Sequence, residues 1–110
     1  MLAPLPTQQA KAYSQALTNH QAGEFYLAHT HLEEVLWVKE PHRVKQLLWQ
    51  TCLQATVSAH HAQQGNVVGA TRLRAKAQGK AKGFALLYNS YPLPKARGWH
   101  QGIVVLSDWL

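Results

Sequence analysis

The chain has 110 residues, of which 46% are hydrophobic and 15% are charged, so it is long enough for one globular domain and too apolar to be intrinsically disordered. It contains no apolar run near the roughly 20 residues of a membrane span, no signal-peptide pattern at its start, and only one cysteine, which excludes an internal disulfide. We therefore expect a single domain over residues 1–110 in the cytoplasm, without a membrane partner.

The net charge of +6 comes entirely from the second half of the chain. Residues 1–55 carry four lysines or arginines and four glutamates, whereas residues 56–110 carry seven lysines or arginines and one aspartate. A surface of one sign attracts partners of the opposite sign. Nucleic acid or another polyanion is therefore a candidate partner, although many globular domains are basic and bind neither.

Apolar residues recur at steps of three and four along most of the chain, which predicts an all-α fold. We expect helices over about 7–22, with Thr7 as its N-cap, and over 24–39, 42–64 and 67–88. Gly23 and the Gly65-Asn66 pair are expected to end the first and third helices, and Pro41 separates the second from the third. The third helix is apolar almost all round, which is typical of a central, buried helix.

This arrangement predicts a compact bundle of about four helices in two antiparallel hairpins. A weak internal sequence similarity supports this arrangement. Residues 22–28 and 64–70 each contain a glycine at the start of a helix and an alanine five residues after that glycine. Residues 1–6 are expected to form an irregular lead, and residues 89–102, with two prolines and two glycines, a loop. The apolar residues 103–110 are expected to dock on the bundle as a short C-terminal segment.

His29 and Glu33 form the pair that most resembles a functional site. They are four residues apart on a predicted helix, so they share one face. An imidazole and a carboxylate at this spacing can hold one metal ion, and they can equally form a hydrogen bond with each other. With His61 as a third ligand, the set would suit a divalent transition metal of undetermined identity and leave a position open for water, with Glu34 as the nearest candidate base.

The predicted third helix carries a polar strip along its otherwise apolar surface. The strip consists of Gln50, Gln54, Ser58 and His61, at steps of four, four and three. A buried amide costs about 1–3 kcal/mol unless it is paired. One interpretation is a polar network between the second and third helices that joins the strip to His29 and Glu33; the alternative is a strip that faces solvent.

Two groups of residues in this region form a recognisable pattern. They are Gly23-Glu24-Phe25, Ala28-His29 and Leu32-Glu33-Glu34, and then Gln50-x-x-x-Gln54, His61-x-x-x-Gly65-Asn66 and Gly69-Ala70. The pattern, from about Tyr13 to Leu73, resembles the domain of unknown function 309 family. The resemblance implies a small all-helical domain of bacteria or archaea whose function is unestablished.

The hallmark of that family is an HxxxExx(W/Y) motif, for which metal binding has been suggested. The resemblance assigns the motif's histidine to His29 and its glutamate to Glu33. The aromatic position falls on Leu36, with Trp37 one residue later, and Thr30 stands where the family often has glutamate. The metal-binding pair is therefore present, whereas one further carboxylate is missing.

Two binding functions remain as alternatives. Arg72, Lys76 and Lys80 form a basic stripe at steps of four, and Tyr88, Tyr91 and Trp99 follow it as candidates for stacking on bases or for core positions. A structural domain that dimerises or binds a protein, with Trp37 and Trp99 as anchors, is the third interpretation. The sequence contains no phosphate-binding glycine loop and no GxSxG motif, and Cys52 is expected to be a buried apolar residue.

Overall fold

The computed structural model describes residues 6–33 and 42–90, and four α-helices make up nearly all of these two segments. The helices are α1 (Thr7–Gln21), α2 (Phe25–His31), α3 (Arg43–Gln63) and α4 (Val67–Asn89). The described segments contain no strand, so the all-α prediction is confirmed. None of their helices is long and apolar enough to cross a membrane.

Apart from the end of α2, the helix bounds agree with the predicted ones to within a few residues. Thr7 is the first residue of α1 and not its N-cap; Pro6 precedes the helix, and its carbonyl accepts the N–H of Ala10 at 2.9 Å. The helical backbone of α2 continues through residues 32 and 33 as a wider, π-helical turn. The rest of the predicted second helix, the lead before Pro6, and the loop and C-terminal segment predicted after α4 lie outside the described residues.

Both predicted glycine turns end a helix in the same way. Gly23 has a φ angle of 78° and Gly65 one of 80°, a left-handed conformation in which a side chain would be strained. In each turn the next residue closes the helix end, as the N–H of Glu24 donates to the carbonyl of Asn19, and the N–H of Asn66 to that of His61, both at 2.8 Å. The two turns connect α1 to α2 and α3 to α4.

Helix α3 is central among the described helices, since it packs against its hairpin partner α4 and also against α2 of the other hairpin. It supplies more of the buried core than any other described helix, as its apolar sequence predicts. At the centre of the core the rings of Tyr13 and Trp49 meet edge to face, with centroids 5.2 Å apart. The core consists of Tyr13, Ala16, Leu17, Leu32, Val44, Leu47, Leu48, Trp49, Cys52, Phe84 and Tyr88.

Candidate functional site

His29 and Glu33 contact each other, as their spacing predicts. His29 Nε2 lies 2.9 Å from Glu33 Oε2, and the two side chains are 31% and 53% exposed. A polar contact this open to solvent contributes only about 0–1 kcal/mol to stability. The fold therefore does not depend on the pair, which leaves both groups accessible to a ligand.

The histidine that accompanies His29 on the neighbouring helix is His60. Both line a small cavity of about 140 Å³, together with Phe25, Tyr26 and Val57. The Tyr26 ring is near both, with its centroid 6.0 Å from that of His29 and 6.3 Å from that of His60. The sequence did not single out His60. His61 is a candidate as part of the polar strip, which lies on a different face of α3 from His60.

His61 lies in the last turn of α3, next to the connection to α4. Its Nδ1 lies 3.3 Å from Asn66 Nδ2, in the residues that follow α3. Within residues 6–33 and 42–90, no group of three histidine, cysteine, aspartate or glutamate side chains is arranged to hold a metal ion. The described part of the chain therefore does not bring His29, Glu33 and His61 together as a set of three ligands.

The polar strip faces α4 and not α2. The Ser58 hydroxyl donates a 2.6 Å hydrogen bond to the carbonyl of Ala70 in α4. Gln54 lines a cleft whose other wall is α4, and the side-chain oxygens of Gln50 and Gln54 are buried without a hydrogen-bond partner among the described residues. The predicted network around His29 is thus not formed by Gln54 and Ser58, because α2 packs on the face of α3 that carries Val57 and His60.

A cleft of about 680 Å³ separates α3 from the second half of α4, and we call it the α3–α4 cleft. Its charged side chains are Arg43, at the start of α3, and Lys76 and Lys80, one turn apart on α4. None of the described residues that line it is acidic. Arg72, the remaining member of the basic stripe, is exposed and lies outside the cleft. The lining consists of Arg43, Leu47, Gln54, Lys76, Gly79, Lys80, Gly83, Leu86 and Leu87.

Two glycines of α4 leave space in this cleft because they carry no side chains. A Cβ atom added at Gly79 would meet no described atom within 4 Å, and one at Gly83 would touch the methyl groups of Leu47 at 3.6 Å. Each glycine costs a helix about 1 kcal/mol relative to alanine, so their presence four residues apart is a disadvantage for α4 alone. The signal that locates the cleft in the sequence is the overlap of this glycine pair with Lys76 and Lys80 at the same spacing.

His20 is a second feature that the sequence did not single out. Its Nδ1 lies 2.7 Å from the Thr56 hydroxyl, and its ring packs edge to face against Phe25. Burial lowers the pKa of His20 from 6.5 to about 4, because the charged imidazolium loses solvation. The ring therefore stays neutral near pH 7 and serves as a polar contact between α1 and α3.

Neither Cys52 nor Tyr88 is available to a ligand. Cys52 is fully buried as predicted, and burial raises the pKa of its thiol to about 12, so it is not a nucleophile near neutral pH. Tyr88 is a core residue whose ring stacks on Phe84 at 5.4 Å, so it cannot stack on a base. Tyr91 and Trp99 lie outside the described residues.

The comparisons with known proteins identify a family and no individual relative. The model of a family described as a domain of unknown function (DUF309) matches residues 13–73. These residues include most of α1, all of α2 and α3, and the first turns of α4. No curated protein and no solved structure matches the chain. Because the match covers more than half of the 110 residues, the chain belongs to the DUF309 family of domains of unknown function.

Proposed function

We propose that this domain binds an anionic ligand in the α3–α4 cleft. The observation that supports this function is that Arg43, Lys76 and Lys80, from two helices, all line one cleft whose described lining contains no carboxylate. A concave site lined by one sign of charge concentrates ligands of the opposite sign. The seven lysines and arginines against one aspartate in residues 56–110 reinforce this field.

The two lysines gain from a shared anion. Like charges one helical turn apart repel each other and destabilise a helix by a few tenths of a kcal/mol, at about the level of a favourable pair. An anion between Lys76 and Lys80 would remove that repulsion and accept a charge-assisted hydrogen bond from each ammonium group. Gln54 lines the opposite wall, and its amide nitrogen is a further hydrogen-bond donor for an anion.

Calorimetric titration with sodium pyrophosphate at low ionic strength tests this proposal. We expect saturable binding by the wild-type protein and at least a fivefold loss of affinity in Lys76→Gln/Lys80→Gln. Arg72→Gln/Lys82→Gln is the matched control, because it removes the same two charges from exposed positions of α4 outside the cleft. An equal loss in the control, or no binding by the wild type, would overturn the proposal.

A nucleic acid would use the basic stripe differently. It would contact Arg72 as well as Lys76 and Lys80, and its affinity would fall steeply with salt. Titration of oligodeoxythymidine against Arg72→Gln separates the two cases, since Arg72 lies outside the cleft. Strong oligonucleotide binding that Arg72→Gln weakens as much as Lys76→Gln would favour the stripe and contradict the cleft.

A second candidate function is the binding of a divalent transition metal at His29 and Glu33. It is supported by the 2.9 Å contact between the two side chains and by the presence of His60 on the wall of the same cavity as His29. Imidazole nitrogen and carboxylate oxygen are common ligands of such ions. The pair alone supplies two ligands, fewer than the three or four of protein zinc sites, so a third group has to join on binding.

Elemental mass spectrometry of the untagged protein tests the metal candidate. We expect near-stoichiometric metal in the wild type, loss in His29→Ala, and retention in His31→Ala, a matched control two residues along the same helix. Comparison of His60→Ala with His61→Ala shows which of the two completes the site. Metal-free wild-type protein would exclude this function and leave anion binding unaffected.

A further inference from the structure

We infer that the ligand of the α3–α4 cleft is a dissolved anionic amphiphile, with one compact negative head group and one unbranched aliphatic chain. The inference rests on the proposed function and specifies its ligand class. The inference follows from the lining of the cleft, which brings two lysines and three leucines together beside two glycines. A medium-chain fatty acid has this chemistry.

The register of α3 against α4 places the two lysines and the α4 leucines at different ends of the cleft. Ser58 bonds to Ala70 near the α3–α4 turn, and the methyl groups of Leu47 approach Gly83 farther from it. Along α4, Lys76 and Lys80 therefore lie nearer the turn, and Leu86 and Leu87 lie at the far end, where α3 begins with Arg43. A head group at the lysines would direct its chain over Gly83 toward the two leucines.

The end of the cleft that carries Leu86 and Leu87 is open to solvent. Leu86 is 75% exposed although it lines the cleft, whereas Leu47 is almost fully buried beneath Gly83. An aliphatic chain lying on these leucines would remove apolar surface from water on both sides, which is the main source of affinity for such ligands. A purely polar anion such as pyrophosphate would leave this part of the cleft unused.

The size of the cleft favours a small molecule. Its volume of about 680 Å³ falls within the range of about 300–1,000 Å³ that is typical of small-molecule sites. The missing side chain at Gly79 adds open space beside Lys80. Charge complementarity selects an anion, and the stretch from Gly83 to Leu86 and Leu87 gives one aliphatic chain an apolar surface on which to lie.

The test is a calorimetric series of sodium acetate, hexanoate, octanoate and decanoate with the full chain, below the concentrations at which they form micelles. We expect affinity to rise about threefold to fourfold for each methylene that the cleft buries. Octanol, which has the same chain as octanoate without the charge, should bind at least fivefold more weakly. Decanoate affinity should fall at least tenfold in Gly79→Leu and at least fivefold in Lys76→Gln/Lys80→Gln.

Gly79→Ala is the matched control for Gly79→Leu, because a single Cβ fits at this position without a contact, whereas an isobutyl group fills the cleft. Far-ultraviolet circular dichroism of each variant verifies folding. If pyrophosphate binds in a lysine-dependent manner but decanoate binds no tighter than acetate, the inference is wrong and the proposed function stands. If no anion binds, both fail.

Chain-dependent binding that neither Gly79→Leu nor the lysine variants weaken would place the amphiphile elsewhere and overturn the inference. The last measurement is binding of the protein to vesicles of neutral phosphatidylcholine that contain one third phosphatidylglycerol. Binding to these vesicles without binding of monomeric decanoate would show a membrane-surface site and would also overturn it.

Discussion

The hydroxyl of Ser58 in α3 donates a 2.6 Å hydrogen bond to the backbone carbonyl of Ala70 in α4. Ser58 is almost fully buried, so the hydroxyl has exchanged water for this carbonyl. The bond crosses from one helix to the other and fixes which residues of α3 lie opposite which residues of α4. It therefore turns the polar strip toward α4 and helps to set the register of the α3–α4 cleft.

Replacement of this serine should weaken the second hairpin. We predict that Ser58→Ala lowers the free energy of unfolding by about 1 kcal/mol, since one buried hydrogen bond is lost and a carbonyl loses its second partner. Urea denaturation followed by circular dichroism measures the change. Ser14→Ala, an exposed serine of α1, is the control and should change stability by less than about 0.5 kcal/mol. Equal effects would contradict the assigned bond.

Two glycines of α4 should respond differently to the same substitution. Gly79→Ala should raise the free energy of unfolding by up to about 1 kcal/mol, because alanine favours the helix and its Cβ meets no described atom within 4 Å. At Gly69 a Cβ would lie 2.6 Å from Asn66 Nδ2, and the Asn66 side chain caps α4 by accepting the Gly69 N–H at 3.0 Å. Gly69→Ala should therefore lose a cap of about 1 kcal/mol and show little or no net gain.

A double-mutant comparison isolates the cap. In an Asn66→Ala background the clash is absent, so Gly69→Ala should stabilise the protein about as much as Gly79→Ala does. Thermal denaturation of the four combinations of Asn66→Ala and Gly69→Ala measures the coupling between the two positions. Additive effects would show that Gly69 does not serve the cap.

The helices and hairpins were predictable because their signals are local. Apolar spacing marks each helix, and a glycine with positive φ ends α1 and α3 at the positions that the sequence indicated. The i, i+4 contact of His29 with Glu33 is local in the same sense, since helix geometry alone brings the two side chains together. Thr7 was wrong as an N-cap because Pro6, which has no side chain suited to capping, takes that position.

The surroundings of the candidate sites were not predictable, because they depend on which face of α3 meets which helix. The sequence shows that Gln54 and Ser58 share a face, and only packing decides that α4 and not α2 covers it. His60 was overlooked for the same reason, as it lies beside His29 on the α2 side. The cleft needed both the register of two helices and the absence of side chains at two glycines, which no single segment specifies.

The exposure of the His29–Glu33 pair predicts a small effect of His29→Ala on stability. We expect a loss of less than about 1 kcal/mol in the free energy of unfolding, because solvent screens both partners. Urea denaturation of His29→Ala beside Glu33→Gln measures it, and both variants should give similar small losses. A loss above about 2 kcal/mol in His29→Ala alone would show that the imidazole belongs to a buried polar network.

Acid should destabilise the protein through His20. The pKa of His20 is about 4 in the folded chain and 6.5 in an ordinary unfolded one, so between these values the unfolded state binds a proton that the folded state does not. The free energy of unfolding should therefore fall as pH decreases from about 6.5 to 4. Because the ring is only half-buried, we expect this contribution to be about 1–2 kcal/mol.

His20→Asn isolates the contribution of this histidine, since asparagine keeps a polar atom near the position of Nδ1 and cannot be protonated in this range. Urea denaturation at pH 7, 6, 5 and 4.5 should give a stability difference between wild type and variant that shrinks with falling pH. His31→Asn, on α2, controls for the removal of one titratable ring. Parallel pH profiles of the wild type and His20→Asn would contradict the prediction, because they would mean that the Thr56 contact keeps its strength when His20 is protonated.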